Sequence, residues 1–143
     1  MKVLIDADAC PVVDIAVLLC KSTGTECLLI CDTAHRIERD SASTLVIDKG
    51  ADSADFALVN RVAPGDLVIT QDYGLASMCL ARKARILHQD GWEYTSDNID
   101  GLLFQRHEAR KFRSAGGRTK GPKKRTPQQD QTFYRALQTI LQG

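Results

Sequence analysis

Two short apolar runs in this chain each end in acidic residues and lead directly into a helical pattern. Residues 3–5 read Val-Leu-Ile and are followed by Asp6 and Asp8, and residues 67–69 read Leu-Val-Ile and are followed by Thr-Gln and then Asp72. Continuous apolar runs of this length are typical of strands in a buried parallel sheet. Open α/β sheets bind their ligands beyond the carboxyl ends of the strands. The sequence therefore predicts an α/β fold with a shared acidic pocket at one edge of its sheet.

Strand and helix patterns alternate along most of the chain, which favours a parallel sheet with right-handed crossover connections. The predicted strands lie near residues 2–6, 27–31, 44–48, 66–70 and 85–88. The predicted helices lie near residues 11–22, 53–63, 73–83, 98–112 and 127–141. A length of 143 residues favours one domain spanning residues 1–143.

Composition indicates an ordinary globular protein, with 43% hydrophobic and 26% charged residues. Asp6 and Asp8 interrupt the apolar start, which argues against a signal peptide, and the longest apolar run, residues 15–20, is too short to span a bilayer. The five cysteines include no CxxC pair and suit small core residues in a reducing compartment better than a zinc site. We therefore expect a cytoplasmic protein with no membrane partner.

Charge is unevenly distributed along the chain. Residues 106–125 contain nine basic residues and one acidic residue, whereas the remainder contains ten basic and seventeen acidic residues. Glycine and proline within this segment predict a basic loop at about 114–125, and Thr126-Pro127 then starts the last helix. Phe104 and Phe112 are expected to belong to the core rather than to stack on bases.

Clustered cations of this kind neutralise phosphates, so the segment predicts nucleic-acid binding that weakens with salt. A solvated segment without a ligand remains the alternative. The candidate contacts are Arg110, Lys111, Arg113, Arg118, Lys120, Lys123, Lys124 and Arg125.

The acidic residues suggest a metal site. Asp55 falls in the first turn of the predicted helix at 53–63, where it can face the same sheet edge as Asp6, Asp8 and Asp72. Carboxylates about 4 Å apart repel by roughly 1 kcal/mol in water and by about 4 kcal/mol at an effective dielectric constant of 20. Mg²⁺ or Mn²⁺ would relieve that repulsion and would support attack on a phosphodiester. Thr70 could support this site through its hydroxyl, or could be an ordinary β-forming residue.

Helix capping offers a structural alternative for each acid taken separately. Asp8 could cap the first helix and Asp72 the third. Asp55 could be the capping-box partner of Asp52 in the second. Several acids at one sheet edge are more than capping alone would require, so both interpretations remain open.

Four separated motifs resemble one known family. They are DADACPV at residues 6–12, SAD at 53–55, ITQDYGLA at 69–76 and TKGPKKRT at 119–126. Together they resemble the uncharacterised bacterial YaiI/YqxD family, which is similar to PIN-like nuclease domains. The resemblance implies a three-layer α/β/α sandwich with a central, mostly parallel sheet.

The same resemblance implies a nuclease that uses Mg²⁺ or Mn²⁺ to cut RNA or DNA, with RNA the expected partner. Asp6 matches the acid that ends the first strand, Asp55 the acid of the central helix, and Asp72 the acid after the fourth strand; these three would be metal ligands. Asp8 has no fixed counterpart but fits beside Asp6 as a ligand or a water-orienting base. Asp14 is the nearest candidate for a further acid on an early helix.

Two other functions remain in competition. A non-catalytic nucleic-acid-binding or regulatory protein could keep the fold and use only its basic segment. A phosphatase similar to haloacid dehalogenases would use Asp6 as nucleophile and Asp8 as general acid. Against the phosphatase, Cys10 replaces the usual Thr or Val, and Leu75 and Ala76 stand where a second acid is needed after Asp72.

Overall fold

The computed structural model describes residues 1–34, 36–48, 53–117 and 124–143. The described strands form one six-stranded sheet in the order β3-β2-β1-β4-β5-β6. The first five strands pair in parallel, and β6 pairs antiparallel to β5. The strands are β1 (Val3–Asp6), β2 (Cys27–Asp32), β3 (Ser43–Ile47), β4 (Leu67–Ile69), β5 (Arg85–Leu87) and β6 (Glu93–Tyr94).

Helices cover both faces of this sheet. They are α1 (Val13–Thr23), α2 (Ser53–Arg61), α3 (Tyr73–Ala81), α4 (Ser96–Ser114) and α5 (Pro127–Gln142). Helices α1 and α5 pack together on one face, and α2, α3 and α4 cover the other. The architecture is thus the expected three-layer α/β/α arrangement. None of the described helices is both long and apolar enough to cross a membrane.

The central strand β1 explains why its sequence is apolar throughout. Val3 and Ile5 contribute to the core beneath α1 and α5, whereas Leu4 contributes to the core beneath α2 and α3. All three side chains are fully buried, because successive strand residues point to opposite faces and both faces are covered. Asp6, the last residue of β1, is consequently the first position at which this strand can reach a cleft.

The structure adds one strand to the predicted set and corrects two core assignments. Strand β6 has only two residues, which is too short to show a strand periodicity. The expectation that Phe104 and Phe112 belong to the core is wrong, since 64% and 53% of their surfaces are exposed. Both lie on the part of α4 that extends away from the body; Ile99, near its start, is the buried residue of this helix.

Arg125 anchors the start of α5 to the loop between β5 and β6. Its guanidinium donates to Asp130 Oδ1 at 2.6 Å, to Asp90 Oδ1 at 2.8 Å and to the Gln89 carbonyl oxygen at 2.7 Å. Only 20% of the Arg125 side chain is exposed, so these hydrogen bonds are partly shielded from water. The interactions fix the end of the basic segment against the body.

We predict that Arg125→Gln lowers the free energy of unfolding by about 2 kcal/mol, because it removes charge-assisted hydrogen bonds and leaves two carboxylates without this partner. The neighbouring change Lys124→Gln alters an exposed side chain and should stay within about 0.5 kcal/mol. Urea unfolding of both variants checks the difference. Equal losses in the two variants would show that Arg125 does not anchor α5.

Candidate functional site

Four aspartates converge on one cleft at the carboxyl edge of the sheet. The cleft has a volume of about 540 Å³ and is lined by Asp6, Asp8, Asp55, Gln71, Asp72, Tyr73 and Arg106. The acids reach it from separate elements: the end of β1, the turn after β1, the first turn of α2 and the residue before α3. The structure therefore brings together all four acids that the sequence singled out.

Asp6 is partly buried at the end of β1 and its electrostatics are strongly perturbed. Burial, with added repulsion from Asp55, Asp72 and Asp8, raises the pKa of Asp6 to about 6, although a hydrogen bond from Thr70 opposes the rise. Thr70 Oγ1 donates to Asp6 Oδ2 at 2.9 Å. A carboxylate that is desolvated and repelled in this way favours any cation that enters the cleft.

Thr70 connects two of the acids through one hydroxyl group. The same Oγ1 that donates to Asp6 accepts a hydrogen bond from the backbone N–H of Asp72 at 3.0 Å. Thr70 is 2% exposed, so its hydroxyl has no competition from bulk water. The supporting role expected of Thr70 is consistent with this geometry.

Asp72 is a helix cap and also faces the cleft. Its Oδ1 accepts from the backbone N–H groups of Gly74 at 2.9 Å and Leu75 at 3.2 Å, as an N-cap of α3 should. Arg106 Nη1 approaches the same Oδ1 at 3.3 Å. Within the described chain, these donors all reach Oδ1, so Oδ2 remains for a ligand. Capping and ligand binding are therefore compatible at this residue.

Asp8 does not cap the first helix. The N-cap position of α1 is Val12, which provides no side-chain hydrogen bond. Both carboxylate oxygens of Asp8 instead face the backbone N–H of Asp32, at 3.3 and 3.2 Å, which links the ends of β1 and β2. The following residue, Ala9, adopts the left-handed conformation with φ of 56°, which L-residues with a Cβ rarely adopt. The chain thus turns sharply after Asp8.

Two other sequence expectations about acids have different outcomes. Asp14 forms an ion pair with Arg39 on the exposed side of α1 and does not line the cleft, so the structure does not support it as a further acid of this site. Asp52, the proposed capping partner of Asp55, lies outside the described residues.

Three cleft residues were not identified from the sequence. Tyr73 and Gln71 flank Asp72, and their position beside a candidate ligand was the available signal. The Tyr73 ring packs edge-on against Tyr94, with ring centres 5.9 Å apart, which holds it at the cleft wall. Arg106 lies 34 residues from Asp72 in sequence, and its helical spacing from Ile99 and Leu103 was the only indication of where it faces.

Neither a cysteine nor a preformed metal cage accounts for the cleft. Burial, with the Asp6 charge adding to it, raises the pKa of the Cys10 thiol to about 11, so that thiol stays protonated at neutral pH. Across residues 1–34, 36–48, 53–117 and 124–143, no three His, Cys, Asp or Glu side chains form a group already arranged to hold a metal ion. Most of the cleft's candidate metal ligands are oxygen atoms, but the described side chains are not arranged around one common metal position.

The basic residues predicted to contact nucleic acid fall into three groups. Arg110, Lys111 and Arg113 are exposed on α4, and Lys124 is exposed before α5. Arg125 makes the structural hydrogen bonds described above, so its contact with nucleic acid stays a prediction. The remaining three lie outside the described residues: Arg118, Lys120 and Lys123.

The fold and the cleft together define a three-layer α/β/α protein with an aspartate-lined site at the carboxyl edge of its sheet. A family model described as the uncharacterised YaiI/YqxD family matches residues 4–143. The chain therefore belongs to the YaiI/YqxD family, as its motifs predicted.

Related proteins match over almost their full length. A UPF0178 protein of Exiguobacterium sibiricum is 54% identical over 141 residues, which cover 99% of this chain and 96% of the relative. A UPF0178 protein of Ruminiclostridium cellulolyticum is 45% identical over 137 residues, which cover 96% and 90%. No solved structure matches the chain significantly. The similarity to PIN-like domains therefore stays a prediction.

Proposed function

We propose that this protein is a nuclease that depends on Mg²⁺ or Mn²⁺ and cuts phosphodiesters, with RNA favoured over DNA. The observation that carries the proposal is the convergence of Asp6, Asp8, Asp55 and Asp72 on one cleft. Repulsion among carboxylates raises the free energy of the cleft. A cation that offsets this repulsion would therefore bind more tightly. An acidic cleft is unsuited to a phosphate by itself, so the cation would also provide the attraction that the substrate needs.

The chemistry of the donors fits a hard divalent cation. All four acids carry carboxylate oxygens, and Gln71, which has an amide side chain, also lines the cleft. Mg²⁺ commonly binds through one or two protein carboxylates and keeps several waters, so a closed cage of three side chains is not required. Asp6, Asp55 and Asp72 are the proposed ligands, and Asp8 a ligand or a base that orients water.

The bound metal would act as a Lewis acid, lowering the pKa of a water and offsetting charge on the phosphate. The protein's own groups position that chemistry. Thr70 restrains Asp6, and the first turn of α3 restrains Asp72. Arg106 places a guanidinium at the rim, 3.3 Å from Asp72 Oδ1, where it can meet a phosphate oxygen.

The proposal is tested by incubating the purified protein with a panel of structured and single-stranded RNA and DNA. Mn²⁺, Mg²⁺ and EDTA arms run in parallel. Cleavage with Mn²⁺ or Mg²⁺ that EDTA abolishes is the expected result, with faster loss of RNA than of DNA. Absence of cleavage across the whole panel would contradict the nuclease proposal.

One observation favours the second candidate, a non-catalytic nucleic-acid-binding protein. Arg110, Lys111 and Arg113 are exposed on α4, where they could bind a phosphate backbone whether or not the cleft is catalytic. That protein would bind RNA with salt-sensitive affinity and show no turnover with any metal. The same panel, read for binding as well as cleavage, separates the two candidates.

The phosphatase alternative gains no support from the cleft. Leu75 and Ala76, which stand where a second acid is needed, are 1% and 0% exposed and pack in the core. Trapping of an aspartyl-phosphate on Asp6 would be the result that restores this alternative.

A further inference from the structure

One face of α4 changes from apolar to cationic as the helix leaves the body. Ile99, Leu103, Arg106, Arg110 and Arg113 follow one another at intervals of four, three, four and three residues. Residues at this spacing share one face of a helix. Ile99 is 6% exposed, and Leu103 packs against the same core cluster, whereas the three arginines are exposed. We name Arg106, Arg110 and Arg113 the α4 arginine stripe.

The stripe begins inside the aspartate-lined cleft. Arg106 lines that cleft, and it also lines a neighbouring depression of about 230 Å³ together with Leu103, His107 and Arg110. The two concavities therefore share one side chain and form a continuous surface. This surface runs from the four acids outward along α4.

Arg106 lies beside a residue without a side chain where it approaches the acids. Gly74 lies in the first turn of α3, and a Cβ there would come within 3.3 Å of Asp72 Oδ1 and 3.6 Å of Arg106 Nη1. A Cβ would therefore be in ordinary contact with the guanidinium and in tight contact with the Asp72 carboxylate. The cation is held at the cleft rim by its ion pair with Asp72.

The dimensions and the charge of the stripe suit a nucleic-acid backbone. Seven residues of α-helix rise about 10 Å between Arg106 and Arg113. A stacked strand advances 3.4 Å per phosphate, so about three nucleotides span the same length. Arginine's planar fork matches phosphate oxygens in a bidentate way, which a solvated lysine does not. Glu108, the acidic residue between Arg106 and Arg113 in sequence, forms an ion pair with Lys111.

We propose that the α4 arginine stripe binds about three consecutive phosphates of a single nucleic-acid strand and directs that strand into the aspartate-lined cleft. This inference rests on the proposed function and assigns the path of its substrate. It also adds Arg106 as a residue that positions the substrate. The primary contact with the nucleic-acid strand is then made by helix α4 rather than by the glycine-containing loop.

The test measures binding without metal, so that cleavage does not interfere. Fluorescence anisotropy with single-stranded RNA and DNA 12-mers in EDTA, over a range of salt, compares the wild type with Arg106→Gln, Arg110→Gln, Arg113→Gln and the triple variant. Each single change is expected to weaken binding by about 5- to 10-fold and to reduce the salt slope by about one unit. Arg106→Lys should recover part of the affinity, because it keeps the charge but loses the fork.

Arg82→Gln is the matched control. Arg82 is an exposed arginine at the opposite end of α3, away from the cleft, and its loss should change affinity less than twofold. The inference is overturned if the triple variant keeps wild-type affinity, if Arg82→Gln weakens binding as much, or if the wild type binds neither 12-mer. Binding that depends on the stripe, combined with absence of cleavage, would overturn the nuclease proposal and leave this inference intact.

Discussion

Replacing Asp6 by asparagine is expected to reduce metal-dependent cleavage by more than about a hundredfold. Substitution of groups that only support a metal ligand typically costs 10- to 100-fold, and loss of a ligand itself should cost no less. Asp6 is the acid on which the charges of Asp8, Asp55 and Asp72 converge. Asparagine keeps the shape of the side chain and removes the charge that a cation requires.

The same substitution should stabilise the metal-free protein at neutral pH. The pKa of Asp6 is about 6 in the folded protein, against an ordinary value of 3.8 in the unfolded chain, so the unfolded state deprotonates first as pH rises. The free energy of unfolding therefore falls as pH rises from about 4 to about 6, by as much as about 3 kcal/mol for a pKa shift of this size. Asp6→Asn removes this loss, so the variant should unfold at a higher temperature than the wild type at pH 7.5.

Thermal melts with and without Mn²⁺ measure the gain in stability and the loss of metal binding. The cleavage panel described above measures the loss of activity. Mn²⁺ should raise the melting temperature of the wild type and leave Asp6→Asn nearly unchanged, because only the wild type binds the ion. Asp14→Asn, outside the cleft, is the control and should retain both cleavage and the Mn²⁺ response. An Asp6→Asn protein that still cleaves at the wild-type rate would exclude Asp6 as a ligand.

Phe133→Ala is expected to cost about 3–5 kcal/mol of folding free energy, which is a large part of the stability of a domain this size. Phe133 lies on α5, is fully buried and belongs to the core between α5, α1 and the sheet. Truncation leaves a cavity that rigid neighbouring elements cannot fill. Urea unfolding, monitored by circular dichroism, measures the loss.

The adjacent residue provides the control for this second prediction. Tyr134 is 38% exposed, so Tyr134→Ala removes an aromatic ring of similar size from the same helix with a smaller loss of burial. Its cost should be at most about 1.5 kcal/mol. Equal costs for the two variants would show that α5 does not complete the core.

The parts of the fold that depend on local patterns were predictable. Strands β1 and β4 are continuous apolar runs because both faces of the sheet are covered, and α5 begins at the expected Thr126-Pro127 signal, with a Thr126–Gln129 capping box. The convergence of Asp6 and Asp72 follows from the parallel pairing of these two strands. Local sequence therefore determines most of the sheet and the floor of the site.

Features that depend on distant contacts were not predictable in the same way. The edge-on aromatic partner of Tyr73, Tyr94, lies in β6, which is too short to leave a pattern. Phe104 is a large apolar residue, of the kind usually found in a core. Within the described chain, however, no element covers that face of α4. Arg106 reaches the cleft because α4 packs on α3, and single-sequence reasoning does not give that packing.

The hydroxyl of Thr70 has a mechanical consequence for the site. A hydroxyl carries one proton, and here it is committed to Asp6 while the oxygen receives the N–H of Asp72. Displacing either acid disturbs the hydrogen bond to the other, so the two move as a unit with the end of β4. Exchange of a residue at the rim of the cleft therefore leaves this hydrogen-bonded link between the two acids in place.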